Sequence, residues 1–254
     1  MKLSIIMATY NASMYVKNCL DSIVPQLNEE TELIIIDGDS KDGTQGIIMS
    51  FGDKVNIFIS EPDEGIYDAW NKGINLSCGD WIMFIGADDR LLPTAISRYL
   101  SILDNLPDSS SYDYICAKNK YVNHNGQIVS ILGQPPKWNM LRKGMVAAHV
   151  GSLHSRSNLF ETIGLFNTSF KICADYELLL RKKMNLKWWF SDEIMAEMRT
   201  GGVSFSMAAI QETYAIRKYH RSISFLRNVF LFCWDILTYL SFFIRKSLIA
   251  EVRK

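Results

Sequence analysis

Trp81-Ile82-Met83-Phe84-Ile85-Gly86-Ala87-Asp88-Asp89-Arg90 decides how the chain is read. Its apolar run has the length and character of a strand buried on both faces, as in a parallel sheet covered by helices. The run breaks into a small-residue turn that delivers two adjacent carboxylates to the strand's carboxyl end, where open α/β sheets place their ligands. Adjacent aspartates suit a hard divalent cation, because Mg²⁺ or Mn²⁺ is held by one or two carboxylates together with substrate phosphates. Taken alone, the same residues also suit a plain turn that caps the next helix.

Upstream, residues 3–8, 32–36 and 55–60 read as strands. Between them Tyr15, Val16, Cys19, Leu20, Ile23 and Leu27 fall on one helical face, and 45–51 and 65–76 are helical too. Strands alternating with such helices form βαβ units, so the expected class is α/β: a Rossmann-like, mostly parallel sheet flanked by helices. Downstream, Pro93 opens a helix over 93–106. Residues 112–122 and 127–132 flank Asn123-His124-Asn125-Gly126, a hairpin signal. Residues 133–150 read as a loop over one end of the sheet, 157–163 and 174–184 as helices, and 187–190 as a strand.

The 254 residues are 48% hydrophobic and 21% charged, which fits a globular domain with a tail and excludes disordered and fibrous classes. The formal net charge of zero hides an asymmetry. From Arg217 onward eight Lys/Arg face only Asp235 and Glu251, so the end is +6 and the remainder −6. Five scattered cysteines without a C-x-x-C pair argue against a disulfide framework and a zinc site, and suit a reducing compartment. The N-terminal apolar run is too short for a signal peptide, so the active domain is expected to stay in the cytoplasm.

Residues 210–249 lack proline and glycine and read as one continuous helix. Seventeen residues between Arg227 and Arg245 carry Asp235 as their only charge, and at about 1.5 Å per residue they extend roughly 26 Å, short of a hydrocarbon core of about 30 Å. Asn228, Asp235, Thr238, Ser241 and Arg245 form a thin polar stripe beside Phe230, Trp234, Leu237, Leu240 and Ile244. With basic flanks, this pattern fits a helix lying in a membrane interface, over 222–250. Packing on its own domain or on a second subunit is the competing reading.

The loop after the second strand, Asp37-Gly38-Asp39-Ser40-Lys41-Asp42-Gly43-Thr44, sets a carboxylate at a strand end before a turn and a hydroxylic helix start. An inward-facing Asp37 can accept the imide N–H of a uracil or a ribose hydroxyl, and Tyr10 at the neighbouring strand end can stack on the base. A capped turn and a buried structural tyrosine are the alternatives. Neither G-x-G-x-x-G nor G-x-x-x-x-G-K-[ST] is present, so phosphates here call for a cation and not a glycine-rich helix start.

Five segments in order, Thr9-Tyr10-Asn11, Asp37 to Thr44, Ser60-Glu61-Pro62-Asp63-Glu64-Gly65-Ile66-Tyr67-Asp68-Ala69-Trp70-Asn71-Lys72-Gly73-Ile74, Gly86-Ala87-Asp88-Asp89 and Ala174-Asp175-Tyr176-Glu177, resemble a bacterial family-2 glycosyltransferase with the GT-A fold. The resemblance covers roughly residues 1–205. It implies a nucleotide-binding half over 1–106, an acceptor half over 107–205, and a helical basic and apolar tail over 206–254. It further implies that Thr9, Tyr10, Asn11 and Asp37 hold the nucleotide, that Asp68 and Lys72 line its pyrophosphate side, and that Asp88 binds the ribose while Asp89 ligates Mn²⁺ or Mg²⁺. Many members carry another acid where Gly86 stands here, so the cation is expected to arrive with the donor. Asp175 matches the general base of an inverting transfer, although as the opening of a helix it also suits a cap. His149 and Gly202 are candidate donor or acceptor contacts; a structural histidine and a plain turn are their alternatives.

The expected activity is metal-dependent transfer from a nucleoside-diphosphate sugar, a UDP-sugar, to a lipid-linked or saccharide acceptor in surface-polysaccharide synthesis such as lipopolysaccharide. The expected location is the inner face of the cytoplasmic membrane. No nucleic-acid partner is expected, and an oligomer is left open. A sugar nucleotidyltransferase would share the α/β half but needs a glycine-rich basic loop after the first strand, which Thr9-Tyr10-Asn11 does not supply. A noncatalytic protein of the same fold is the other alternative; intact Asp37, Asp88, Asp89 and Asp175 count against it.

Overall fold

The computed structural model describes residues 2–252, with side chains described through Ser241. Strand β1 (Leu3–Thr9) leads to α1 (Val16–Ile23), β2 (Thr31–Asp37), α2 (Thr44–Met49), β3 (Ile57–Ser60), α3 (Ile66–Leu76) and β4 (Trp81–Gly86). A two-residue strand β5 (Arg90–Leu91), α4 (Ala95–Asn105) and the hairpin strands β6 (Tyr114–Val122) and β7 (Ile128–Leu132) follow. Next come α5 (Trp138–Leu141), β8 (Leu153–Ser155), a π-turn over Arg156–Phe160 running into α6 (Glu161–Ile163), α7 (Ala174–Lys182), β9 (Trp188–Arg199), α8 (Met207–Tyr219) and α9 (Phe225–Val252).

The strand order is β3-β2-β1-β4-β8-β6-β9-β5, with β7 beside β6. The first four strands are wholly parallel and β6 runs parallel to β9, while β8, β7 and β5 join antiparallel. The period of two along each strand divides the core between the faces. Leu3, Ile5 and Met7 pack with Leu33, Ile35, Met83 and Ile85 beneath Val16, Leu20, Ile96 and Tyr99 of α1 and α4. Ile6, Ile34, Ile36, Ile82 and Phe84 face Trp70 and Ile74 of α3 together with Phe160 and Phe166. Burying each such side chain contributes about 1.5–3 kcal/mol, which is why near-continuous apolar strands occupy the centre of the sheet.

Parallel register then assembles the working end. Thr9 pairs with Asp37, Asp37 with Ser60, and Ala8 with Gly86, so the carboxyl ends of all four strands meet in one row.

Two expectations change. The helix expected over 210–249 is two helices, because Arg221 adopts φ +49° and Ser222 Oγ donates to Arg142 O at 2.8 Å, turning the chain between α8 and α9. The strand expected to end at 190 continues to Arg199, since β9 pairs with both β6 and β5 across the polar residues Ser191, Asp192 and Glu193. The tail expected over 206–254 is bonded to the fold before it. Beyond residue 205, Arg217 Nη1 donates to Lys143 O at 2.8 Å, and His220 Nε2 lies 2.7 Å from Glu177 Oε1.

Candidate active site

A cavity of about 1000 Å³ opens beyond the carboxyl ends of β1 and β4. Tyr10, Asn11, Asp88, Asp89, His149, Asp175 and Gly202 all line it, as the sequence reading expects of a shared site. Tyr67, Trp70, Tyr176 and Arg199 complete the wall, and so do Asp235, Thr238 and Tyr239 of α9.

Asp37 is placed differently. Its carboxylate is fully buried and saturated: Oδ1 accepts from Thr9 Oγ1 at 2.7 Å and Ser40 Oγ at 2.5 Å, and Oδ2 from Ser40 N at 2.9 Å and Ser60 Oγ at 2.7 Å. Burial alone would raise its pKa, but the hydrogen bonds from Ser40, Thr9 and Ser60 hold it below the usual carboxylate range. Four occupied acceptor positions leave nothing to receive a base or a ribose. In place of a contact with the nucleotide, the row fixed by strand register sets Asp37 and Thr9 as a brace under the Asp37–Thr44 loop. Asn11, at φ +46°, ties the first loop to that brace by donating its N–H to Ser40 Oγ at 2.8 Å and accepting from Lys41 N at 3.0 Å.

Asp68 and Lys72 also fall outside the cavity wall, because α3 turns Tyr67 and Trp70 inward and a helix presents neighbouring positions about 100° apart. Lys72 Nζ lies 2.8 Å from Glu61 Oε1 and 3.4 Å from Asp68 Oδ2, and donates to Pro62 O at 3.1 Å. It braces the loop between β3 and α3.

Asp88 and Asp89 converge over Gly86. A Cβ at Gly86 would stand 3.1 Å from both Asp88 Oδ1 and Asp89 Oδ2, so the missing side chain leaves open the space between the two oxygens. Burial, and then the charge of Asp88, push Asp89 up to about 8, with Arg199 N donating weakly to its Oδ1 at 3.3 Å. Two hard oxygen donors crowded by their own repulsion fit a divalent cation. Among the described residues no cluster of three or more His, Cys, Asp or Glu side chains is set to hold a metal; a cation held between these two carboxylates would draw the rest of its shell from substrate phosphates and water.

Asp175 lies in the first turn of α7, yet it caps nothing: the cap position is Cys173, without a side-chain bond. Its Oδ1 accepts from Tyr67 Oη at 2.9 Å, and Oδ2 stands 3.7 Å from His149 Nδ1, beyond hydrogen-bond reach. Tyr67 Oη also lies 2.7 Å from Ile172 O, so its single proton is shared between two acceptors. Burial, then Asp175, raise the Tyr67 phenol well above its ordinary value and keep it a donor.

Sequence reading missed Tyr67, Arg199 and the whole α9 wall. Tyr67 stands inside a segment already singled out, at a position that α3 periodicity could have turned inward. Arg199 had no local signal, and Asp235, though the lone charge of an apolar run, had none pointing to this cavity, since long-range packing brings both in.

Comparison with known proteins assigns the class. The fold is of the GT-A type. The chain aligns with TarS of S. aureus, solved with UDP-GlcNAc, at TM-score 0.70 and 16% identity, covering 95% of this chain and 73% of that one. It also aligns with the mannosyltransferase PcManGT from Pyrobaculum calidifontis, solved with GDP-Man and Mn²⁺, at TM-score 0.62 and 13% identity, covering 98% and 80%. The profile of Glycosyl transferase family 2 matches residues 4–164, and the chain belongs to that family. Among curated relatives, a PGL/p-HBAD biosynthesis glycosyltransferase of Mycobacterium bovis is 29% identical over 183 residues, 70% of this chain and 68% of the relative. An uncharacterised glycosyltransferase of Rickettsia typhi is 27% identical over 218 residues, 82% and 67% respectively. The nucleotidyltransferase alternative has no support in these matches.

Proposed function

We propose that the protein is an inverting, cation-dependent glycosyltransferase that moves a sugar from a UDP-sugar to a lipid-linked saccharide acceptor at the inner face of the cytoplasmic membrane, in surface-polysaccharide synthesis. The observation that carries this reading is the meeting of Asp88, Asp89 and Asp175 in one cavity from two distant stretches of chain.

The roles follow from position. Tyr10, 68% exposed at the end of β1, offers a ring face for a base to stack on. Asp88 and Asp89 would hold a divalent cation, which the donor's phosphates would share. A bound divalent cation offsets the negative charge that develops on the leaving diphosphate. Asp175 takes the proton from the acceptor hydroxyl as its oxygen bonds the anomeric carbon, and the bond from that carbon to the diphosphate oxygen breaks with its electron pair. Tyr67 holds Asp175 by Oδ1 and leaves Oδ2 for that proton. One displacement on the face opposite the leaving group inverts the anomeric centre. His149 and Gly202 line the same cavity and are assigned to donor or acceptor contact.

Helix α9 supports the membrane reading. Two of its polar residues turn inward: Asn228 Nδ2 donates to Tyr214 O at 3.1 Å, and Asp235 Oδ2 accepts from the buried Arg217 at 3.3 Å. Phe225, Leu226, Phe230, Trp234, Leu237 and Leu240 are left exposed on its outer side. No helix among the described residues is long and apolar enough to cross a membrane, and an exposed apolar stripe between basic flanks fits the plane of an anionic lipid surface. The same helix walls the cavity, so an acceptor anchored in lipid would reach Asp175 from that side. Five free thiols agree with a reducing compartment. A screen of nucleotide sugars for Mn²⁺-dependent binding and slow hydrolysis tests the donor class without knowledge of the acceptor; absence of binding by every sugar nucleotide would overturn the reading.

A further inference from the structure

We infer that Asp63, and not Asp37, reads the nucleobase of the donor, and that its one unengaged carboxylate oxygen selects uracil. The inference rests on the glycosyltransferase reading of the cavity. It begins with the saturation of Asp37, whose four hydrogen bonds and full burial remove it from contact with any ligand. A base stacked on Tyr10 still needs an acceptor at its edge.

Asp63 stands next to that ring across Gly38. A Cβ at Gly38 would lie 2.7 Å from Asp63 Oδ2 and 3.2 Å from Tyr10 Cδ2, so a residue without a side chain lets the carboxylate and the aromatic edge close on the same spot. The loop that carries Asp63 is fixed in advance. Glu61 N donates to Asp37 O at 2.9 Å, Lys72 Nζ donates to Pro62 O at 3.1 Å, and Lys171 Nζ donates to Glu64 O at 2.9 Å. Asp63 Oδ1 itself accepts from Gly65 N at 2.9 Å, while Oδ2 has no partner among the described residues. Lys72 thereby acts through the loop as a positioning residue.

One held oxygen and one unengaged oxygen make a single acceptor. Uracil presents a single imide N–H between two carbonyls and matches it. Cytosine turns a lone pair toward the same place and is repelled. Guanine offers two adjacent donors, which call for both oxygens of a carboxylate, and Gly65 already occupies one. A site built to accept a particular N–H rejects analogues that lack it far more strongly than an apolar pocket does.

Calorimetric titration of the full chain with UDP, CDP and GDP in the presence of Mn²⁺ tests this. The wild-type protein is expected to bind UDP at least about tenfold tighter than CDP or GDP, as for loss of one hydrogen bond to a charged group. In Asp63→Asn the amide oxygen stays on Gly65 N and turns the NH₂ toward the base, so the UDP-to-CDP ratio should fall about tenfold or more, with CDP gaining. Should Asp63→Asn fail to fold, Gly38→Ala is the second variant: its methyl presses on Oδ2 and should weaken UDP more than CDP. An unchanged UDP-to-CDP ratio in the folded variant, or a wild-type preference for GDP, overturns the assignment while leaving nucleotide binding intact. Failure of the wild-type protein to bind any of the three overturns the nucleotide-sugar reading itself, and the assignment of Asp63 with it.

Discussion

Glu212 Oε2 accepts from Ile172 N and Cys173 N, each at 2.9 Å, and its Oε1 accepts from Lys171 N at 2.7 Å. One carboxylate on α8 therefore gathers three successive amides immediately before Asp175, tying the helix that follows residue 205 to the site. Glu212→Ala should lower stability by about 2 kcal/mol, the order expected for charge-assisted bonds at a partly exposed site, and reduce kcat while donor affinity holds. Glu212→Gln, which keeps the acceptor oxygen, should recover much of the loss. Denaturant melts and steady-state kinetics on both variants check this; equal kcat in wild type and Glu212→Ala would remove the positioning role.

Tyr67→Phe removes the proton that Asp175 Oδ1 accepts. The ring contacts with Trp70 and Phe166, both at 5.3 Å, remain, so the fold should hold. A free Asp175 rotates, and kcat is expected to fall about tenfold with the donor KM unchanged, as when a reacting group loses orientation. A rise in KM at constant kcat would instead place Tyr67 in donor binding.

His154 gives the protein an acid limit. Burial, with the nearby His149 opposing a second charge, holds its pKa down to about 3, among the rings of Phe84, Tyr114 and Phe160. The unfolded chain takes up this proton near pH 6.5 and the folded chain near 3, so stability from this group is complete above about 6.5 and is lost progressively as pH falls toward 3. Asp37 and Glu177, both held below the ordinary carboxylate range against burial, lose stability in the same direction at lower pH. Thermal melts from pH 7 to 4 should show a falling Tm, with a shallower slope in His154→Phe; identical slopes would assign the loss to the carboxylates.

The outer face of α9 can be tested without touching the cavity. Trp234→Ser with Leu237→Ser replaces two exposed apolar side chains and spares Asp235 and Thr238. The wild-type protein should co-sediment with vesicles containing anionic phospholipid and the double variant should not, while both bind UDP alike. Equal sedimentation of the two would count against the interfacial helix. Deleting 222–254 is a poorer test, because it also removes part of the cavity wall.

The parallel half of the fold was legible because its strands are apolar on both faces and its helices have one buried stripe. Trp81 to Asp89 carried strand, turn and paired carboxylates in nine residues. What could not be read depended on partners far away in sequence. β5 and β8 are two and three residues long and exist through their pairings with β9, β4 and β6. The turn at Arg221 contains neither glycine nor proline and is held by Arg142 O. Asp37 was rightly placed at a strand end, but the hydroxyls that saturate it come from three separate segments, and only strand register reveals that Thr9 and Ser60 stand beside it.

The central claim is that Asp175 takes the acceptor's proton in a transfer from a UDP-sugar. Its most direct test is incorporation of radiolabel from UDP-sugars into a lipid extract of native membranes, comparing wild type with Asp175→Asn, with UDP affinity measured in parallel. The account expects undiminished cation-dependent UDP binding and a loss of transfer of roughly a thousandfold or more, the order for removing a general base. Transfer by Asp175→Asn at the wild-type rate would contradict it.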